Sequence, residues 1–115
     1  MRTMLKSKIH RATVTDAQLH YEGSLTIDPV LMRAADILPH ERVEIFNVNN
    51  GARIATYAIQ GTEGAGEIIV NGAAARHASK GDLIIIVTFV QLNDEAARSH
   101  KPIMLYPGEH NQLAS

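Results

Sequence analysis

Gly23–Ser24 is a step at which the main chain itself could supply a reaction. Glycine offers an unhindered carbonyl, and the serine hydroxyl that follows lies within bond reach of it. Attack of that hydroxyl moves the acyl group from nitrogen to oxygen, and β-elimination of the ester then splits the chain. The dehydroalanine left at position 24 would hydrolyse to a pyruvoyl group. The amide-to-ester step is uphill unless the turn is strained and a donor stabilises the oxyanion. On residue types alone a Gly–Ser step between two extended runs is also a very common turn, and both readings stand. The six histidines, His10, His20, His40, His77, His100 and His110, fall in different segments with no pair at helical spacing. They read as solvated or locally bonded side chains, and no metal site is expected. Cysteine is absent, which excludes thiolate nucleophiles, disulfides and cysteine zinc sites. Gly61, Gly64 and Gly66 match no phosphate-binding pattern and read as a mobile hairpin tip, and no Gly-x-Ser-x-Gly elbow exists for a hydrolase triad.

The elements that must position such a step are short. With 115 residues, 45% hydrophobic and 20% charged, the chain is one domain's worth of globular polypeptide. Aromatics are only 4%, so the core falls to Val, Ile, Leu and Ala, and a core this small makes self-assembly a natural supplement. A net charge of -1 argues against a whole-surface nucleic-acid or anionic-membrane binder. No apolar run is long enough to span a bilayer and the first thirty residues do not resemble a signal peptide, so a cytoplasmic protein is expected. Strands are predicted over 9–19, 24–27, 67–70, 83–90 and 103–106. Residues 43–48 and 53–59 flank Asn49-Asn50-Gly51 and predict a hairpin whose central residues tolerate positive φ. Asp28 as N-cap and Pro29 at the first turn open a helix, with Val30, Leu31, Ala34, Ala35 and Leu38 at helical spacing and Pro39 as the stop. Residues 72–79 read as a short helix or tight crossing, 93–99 as one or two helical turns, and the stretch after Pro107 as a loose tail. Many short strands with two short helices imply a compact β-barrel with helical decorations. Lys80-Gly81-Asp82 before an apolar strand resembles the turn of double-psi barrels.

A series of short motifs adds to this reading. It comprises Met4-Leu5, Lys8-Ile9-His10-Arg11-Ala12, Tyr21-Glu22-Gly23-Ser24, Thr26-Ile27-Asp28, Asn47-Val48-Asn49-Asn50-Gly51-Ala52-Arg53, Thr56-Tyr57, Val70-Asn71-Gly72-Ala73-Ala74-Ala75 and Gly81-Asp82. Each is weak alone, but in this order and spacing they are highly specific. Nearly end to end, the sequence resembles the bacterial aspartate 1-decarboxylase family, pyruvoyl enzymes that make β-alanine for pantothenate and coenzyme A.

The resemblance implies a mainly-β, six-stranded double-psi barrel across residues 1–115, assembled as a homotetramer with active sites between neighbouring subunits. It implies cleavage between Gly23 and Ser24 into a β chain (1–23) and an α chain (24–115). Ser24 would become a covalent pyruvoyl group that binds L-aspartate as a Schiff base and acts as electron sink while CO2 leaves, with no metal. By position, Tyr57 matches the proton donor to the α-carbon, Thr56 a contact to the processing intermediate and substrate, and Arg53 the fork that grips the retained carboxylate. Lys8 matches a basic residue near the substrate carboxylates, Gly72, Ala73 and Ala74 the backbone lining, and His10, Tyr21, Asn71 and Ala75 its support. Read without the resemblance, Tyr57 and Thr56 are ordinary strand residues and Arg53 a solvated cation. Leu25 and Phe46 depart from the family's commoner residues without touching this chemistry. Whether maturation needs a partner protein stays open. The rival reading is a non-catalytic barrel that binds protein or DNA, which predicts a clustered basic face, whereas the Lys and Arg here are dispersed.

Overall fold

The computed structural model describes residues 1–114. Eight strands form one mixed sheet: β1 (Arg2–Thr13), β2 (Asp16–Gln18), β3 (Ser24–Ile27), β4 (Arg42–Asn47), β5 (Arg53–Gln60), β6 (Ile68–Asn71), β7 (Leu83–Leu92) and β8 (Ile103–Leu105). Their order is β2-β6-β3-β5-β4-β7-β1-β8. The expected mainly-β barrel architecture is observed, with eight strands in place of six. The two extra members, β2 and β8, are three-residue strands that pair in parallel at the two ends of the order and flank six longer ones.

The core is aliphatic, as the composition requires: Ile9, Leu25, Ile27, Leu31, Ile45, Ile68, Ile84 and Ile86 are all fully buried. The first strand begins at Arg2, seven residues before the predicted start. Its opening half is too polar to signal a strand. What extends it is the long apolar β7, which pairs with it antiparallel from Arg2↔Leu92 to Thr13↔Leu83. Register shifts between Leu5 and Ser7 and between Ile9 and Ala12 bend β1, and Arg11 takes φ 63 inside the second.

Asp28 caps helix α1 (Pro29–Ala35) as expected, accepting from Val30 N at 2.9 Å. The same carboxylate takes the amides of Gly64 at 3.0 Å and Gly66 at 2.8 Å, so it also pins the glycine-rich loop. Burial pushes its pKa up, but these three donors and the nearby Arg33 outweigh that and hold it below the usual carboxylate range. The helix ends at Ala35 rather than running to Leu38. Asp36 adopts the left-handed conformation (φ 56, ψ 49) and turns the chain, so Leu38 lands on the surface at 67% exposure.

The β4–β5 hairpin forms, though not through a two-residue turn: of Asn49, Asn50 and Gly51, only Gly51 has positive φ, at 77°. The loop is built on side chains instead. Buried Asn47 accepts from Asn49 N at 2.9 Å and donates to Asp82 Oδ2 at 2.9 Å. Asn47 and Asn50 both donate to the carbonyl of His77 at 2.9 Å. Helix α2 (Asp94–Ser99) is capped by Asn93, one of the two predicted caps.

The stretch after Pro107 is not loose. It makes a 3-10 turn (Glu109–Asn111), and Asn111 is 3% exposed. Its Nδ2 donates to Thr13 O and Gly66 O, both at 2.8 Å, and its Oδ1 accepts from Thr13 N at 2.8 Å. Removing this amide leaves three backbone groups without their partner, each worth about 1 kcal/mol. Asn111→Ala should therefore cost about 2–3 kcal/mol and lower the thermal midpoint by about 10 °C, measurable by circular dichroism. A midpoint within error of the unaltered protein would show the clamp to be inconsequential.

Candidate active site

The corner at residues 21–24 joins β2 to β3. Ser24 opens β3 opposite Asn71 of β6 and is 1% exposed. Its hydroxyl donates to Glu22 O at 3.2 Å and accepts from Asn71 Nδ2 at 3.1 Å. Asn71 also donates to Thr26 Oγ1 at 2.9 Å, so one buried amide orients two hydroxyls on β3.

After Asn71 the chain turns into a 3-10 segment (Gly72–Arg76) through Gly72, which has φ +67. A Cβ on Gly72 would sit 2.6 Å from Gly23 Cα, 2.7 Å from Gly23 N and 2.9 Å from Tyr21 O. Main chain thus lies on main chain at the proposed cleavage step, and only glycine permits it. Tyr21, at 57% exposure, contributes its carbonyl to this contact while its side chain reaches solvent.

In front of the corner lies a pocket of about 260 Å³ lined by Gly23, Ile54, Ala55, Thr56, Ala73, Ala74 and His77. Gly23, Thr56, Ala73 and Ala74 are therefore brought together, with Ser24, Asn71 and Gly72 directly behind Gly23. Ala75, half-buried, follows in the same 3-10 segment. The remaining residues do not line this pocket, although Ala55 shares the exposed face of β5 with Arg53 and Tyr57 and does line it. Along β5 Arg53, Ala55 and Tyr57 are exposed while Ile54 and Thr56 are half-buried, so Thr56 and Tyr57 point to opposite faces. Arg53 lies over the Phe46 ring, 4.3 Å from its centroid, in a separate depression of about 240 Å³. A cation seated on an aromatic face keeps its fork in one orientation. Tyr57 lies beside His40, with ring centroids 6.4 Å apart.

Lys8 and His10 are on β1, a strand that pairs with β7 and β8 rather than with β3 or β6. His10 stacks edge-on against Tyr106 at 5.7 Å, and its Nδ1 is a buried side-chain atom without a hydrogen-bond partner. Burial, then the positive charges of Lys8 and Arg11, hold its pKa below the ordinary histidine value. Within one chain, then, Arg53, Tyr57, Lys8 and His10 do not share the pocket of Gly23. His77 does line it, and sequence reasoning had left it among the solvated histidines. It follows Arg76 at the end of the small-residue stretch, and no local signal marked it.

Another depression, about 280 Å³ over β4 and β7, includes Thr3, Val87, Phe89 and Val90 and lies away from this chemistry. Among the described residues no group of three or more His, Asp or Glu could hold a metal ion, and no helix is long and apolar enough to cross a membrane.

Fold and pocket together describe a small mainly-β domain with a cavity in front of a Gly–Ser step whose serine is buried. A family model described as aspartate decarboxylase matches residues 1–114. The protein named aspartate 1-decarboxylase of Syntrophus aciditrophicus is 57% identical over 112 residues, covering 97% of this chain and 97% of that protein. The protein of the same name from Thermoanaerobacter pseudethanolicus is 55% identical over 111 residues, covering 96% and 95%. That of Listeria monocytogenes is 52% identical over 112 residues, covering 97% and 88%. The chain belongs to the aspartate decarboxylase family.

Proposed function

We propose that this protein removes the α-carboxyl of L-aspartate as CO2 to give β-alanine for pantothenate and coenzyme A synthesis. It does so after cutting its own chain between Gly23 and Ser24, into residues 1–23 and 24–115. The observation that carries the reading is the corner itself. The Ser24 hydroxyl is buried and held by Asn71, next to a glycine whose backbone is pressed by Gly72.

A pyruvoyl group made from Ser24 fits this surrounding. The wall in front of it includes Gly23, Ala55, Ala73 and Ala74, whose small or absent side chains leave room for such a group. Such a group supplies a ketone that takes up the substrate amine and accepts the electrons released as CO2 departs. The chain's own residues do the rest. Asn71 holds the position-24 corner, Thr56 contacts it from β5, and the 72–74 backbone lines the substrate with Ala75 behind it. Arg53 grips the side-chain carboxylate and Tyr57 returns a proton to the α-carbon. Lys8 adds positive charge near the carboxylates, and His10 and Tyr21 support the processing segment.

Arg53 and Tyr57 do not line the pocket of Gly23 within one chain. That supports active sites shared between neighbouring copies, with a homotetramer as the assembly. The cytoplasm is the compartment that fits, and a maturation factor is compatible with a slow uphill acyl shift. The dispersed Lys and Arg do not favour the rival reading of a DNA-binding barrel.

The test is decarboxylase activity on L-aspartate and L-glutamate for the protein and for Ser24→Ala. Aspartate alone should be turned over, since the extra methylene of glutamate overreaches the Arg53 fork. Ser24→Ala should remain folded and fall to background. Full activity in Ser24→Ala would sink the proposal.

A further inference from the structure

We propose that His77 is the base of chain cutting, the group that removes the Cα proton of Ser24. The inference rests on the self-processing reading above. It starts from the pocket in front of Gly23, where the other six lining residues, Gly23, Ile54, Ala55, Thr56, Ala73 and Ala74, carry no titratable side chain. An imidazole is the side chain suited to accept and release a proton near neutral pH. Thr56, the other polar side chain on that wall, is far too weak a base.

The main chain of His77 is held firmly. Its N–H donates to Ala74 O at 2.9 Å, closing the 3-10 segment that begins against Gly23. Its carbonyl takes Nδ2 of both Asn47 and Asn50 at 2.9 Å. The main chain of this exposed residue is thus fixed by two independent elements, the 3-10 segment and the β4–β5 loop, where it lines the pocket.

The chemistry has a place for it. Once the Gly23 acyl group has moved to Ser24 Oγ, elimination requires a base at the Ser24 Cα. His77 takes that proton, the C–H pair becomes the Cα=Cβ double bond, and the Cβ–Oγ bond breaks. Gly23 leaves as a carboxylate, and the imidazolium later gives its proton to water. No oxidant or further reactant is consumed.

The experiment follows the cutting of full-length chain made by cell-free synthesis, by denaturing intact mass over time. The protein, His77→Gln and His77→Ala are compared, the last with and without added imidazole. A positioned base contributes about 100-fold or more. Both variants should cut at least about 10-fold more slowly at an unchanged thermal midpoint, and added imidazole should restore much of the rate to His77→Ala. Cutting at the unaltered rate in both variants would overturn the proposal, as would slow cutting that imidazole does not speed. If the unaltered chain itself never splits, the self-processing reading falls and takes this one with it. Splitting of the unaltered chain separates the two failures.

Discussion

Gly72→Ala should both destabilise the fold and stop chain cutting. Two costs coincide at this position. An alanine held at φ +67 loses about 1–2 kcal/mol to the clash of its own Cβ with backbone. That Cβ would also meet Gly23 Cα at 2.6 Å and Gly23 N at 2.7 Å, atoms of a main chain that cannot swing aside as a flexible side chain would. The corner must shift, and Ser24 with it, out of reach of Asn71. The combined loss should be about 4 kcal/mol, among the larger single-residue effects. Gly81→Ala is the control. Gly81 has φ +93 but nothing within 4 Å of an added Cβ, so it carries the conformational cost without the collision. Thermal midpoints of the two variants measure the collision by difference, and intact mass reports whether position 24 is still cut. If Gly72→Ala matched Gly81→Ala in stability and still matured, the tight approach would not be what shapes this site.

Arg53→Ala should act on substrate rather than on fold. Arg53 is exposed and rests on Phe46, so truncation leaves no buried group unpaired. In the proposed role, what is lost is a pair of charge-assisted hydrogen bonds to the substrate carboxylate, each worth about 1.5–3 kcal/mol. kcat/KM for L-aspartate should fall about 100- to 1000-fold, with the thermal midpoint unchanged. Arg53→Lys keeps the charge but not the planar fork, and should recover only part of the loss. Steady-state kinetics on matured protein decides. An Arg53→Ala variant with an unaltered KM and kcat would place carboxylate recognition elsewhere.

Where the sequence was readable, the signals were local. The Asp28 cap and Pro29 open α1 because a side-chain carboxylate satisfies the first amides within a few residues, a purely short-range event. The end of α1 was missed for the converse reason: a non-glycine residue, Asp36, takes the left-handed conformation, and no residue type there announced it. The first half of β1 is strand only because β7 lies alongside, and pairing across more than eighty residues leaves no mark in local periodicity. The Asn111 clamp depends on the carbonyls of Thr13 and Gly66, 98 and 45 residues away in sequence.

The candidate site divides in the same way. Gly23–Ser24 was legible as chemistry, and Asn71 and Gly72 as companions through the family resemblance. The separation of Tyr57 from Thr56 was available from strand alternation alone, since consecutive residues of a strand face opposite sides. His77 was not legible, because its place in the pocket is set by carbonyl bonds from Asn47 and Asn50 on another hairpin.

The central claim is that this chain makes its own reactive group at Ser24, and denaturing intact mass of the purified protein tests it most directly. The account predicts two species that split after Gly23, with the longer fragment lighter than one beginning with serine and blocked at its amino terminus. A single full-length species in protein that nonetheless decarboxylates L-aspartate would contradict it.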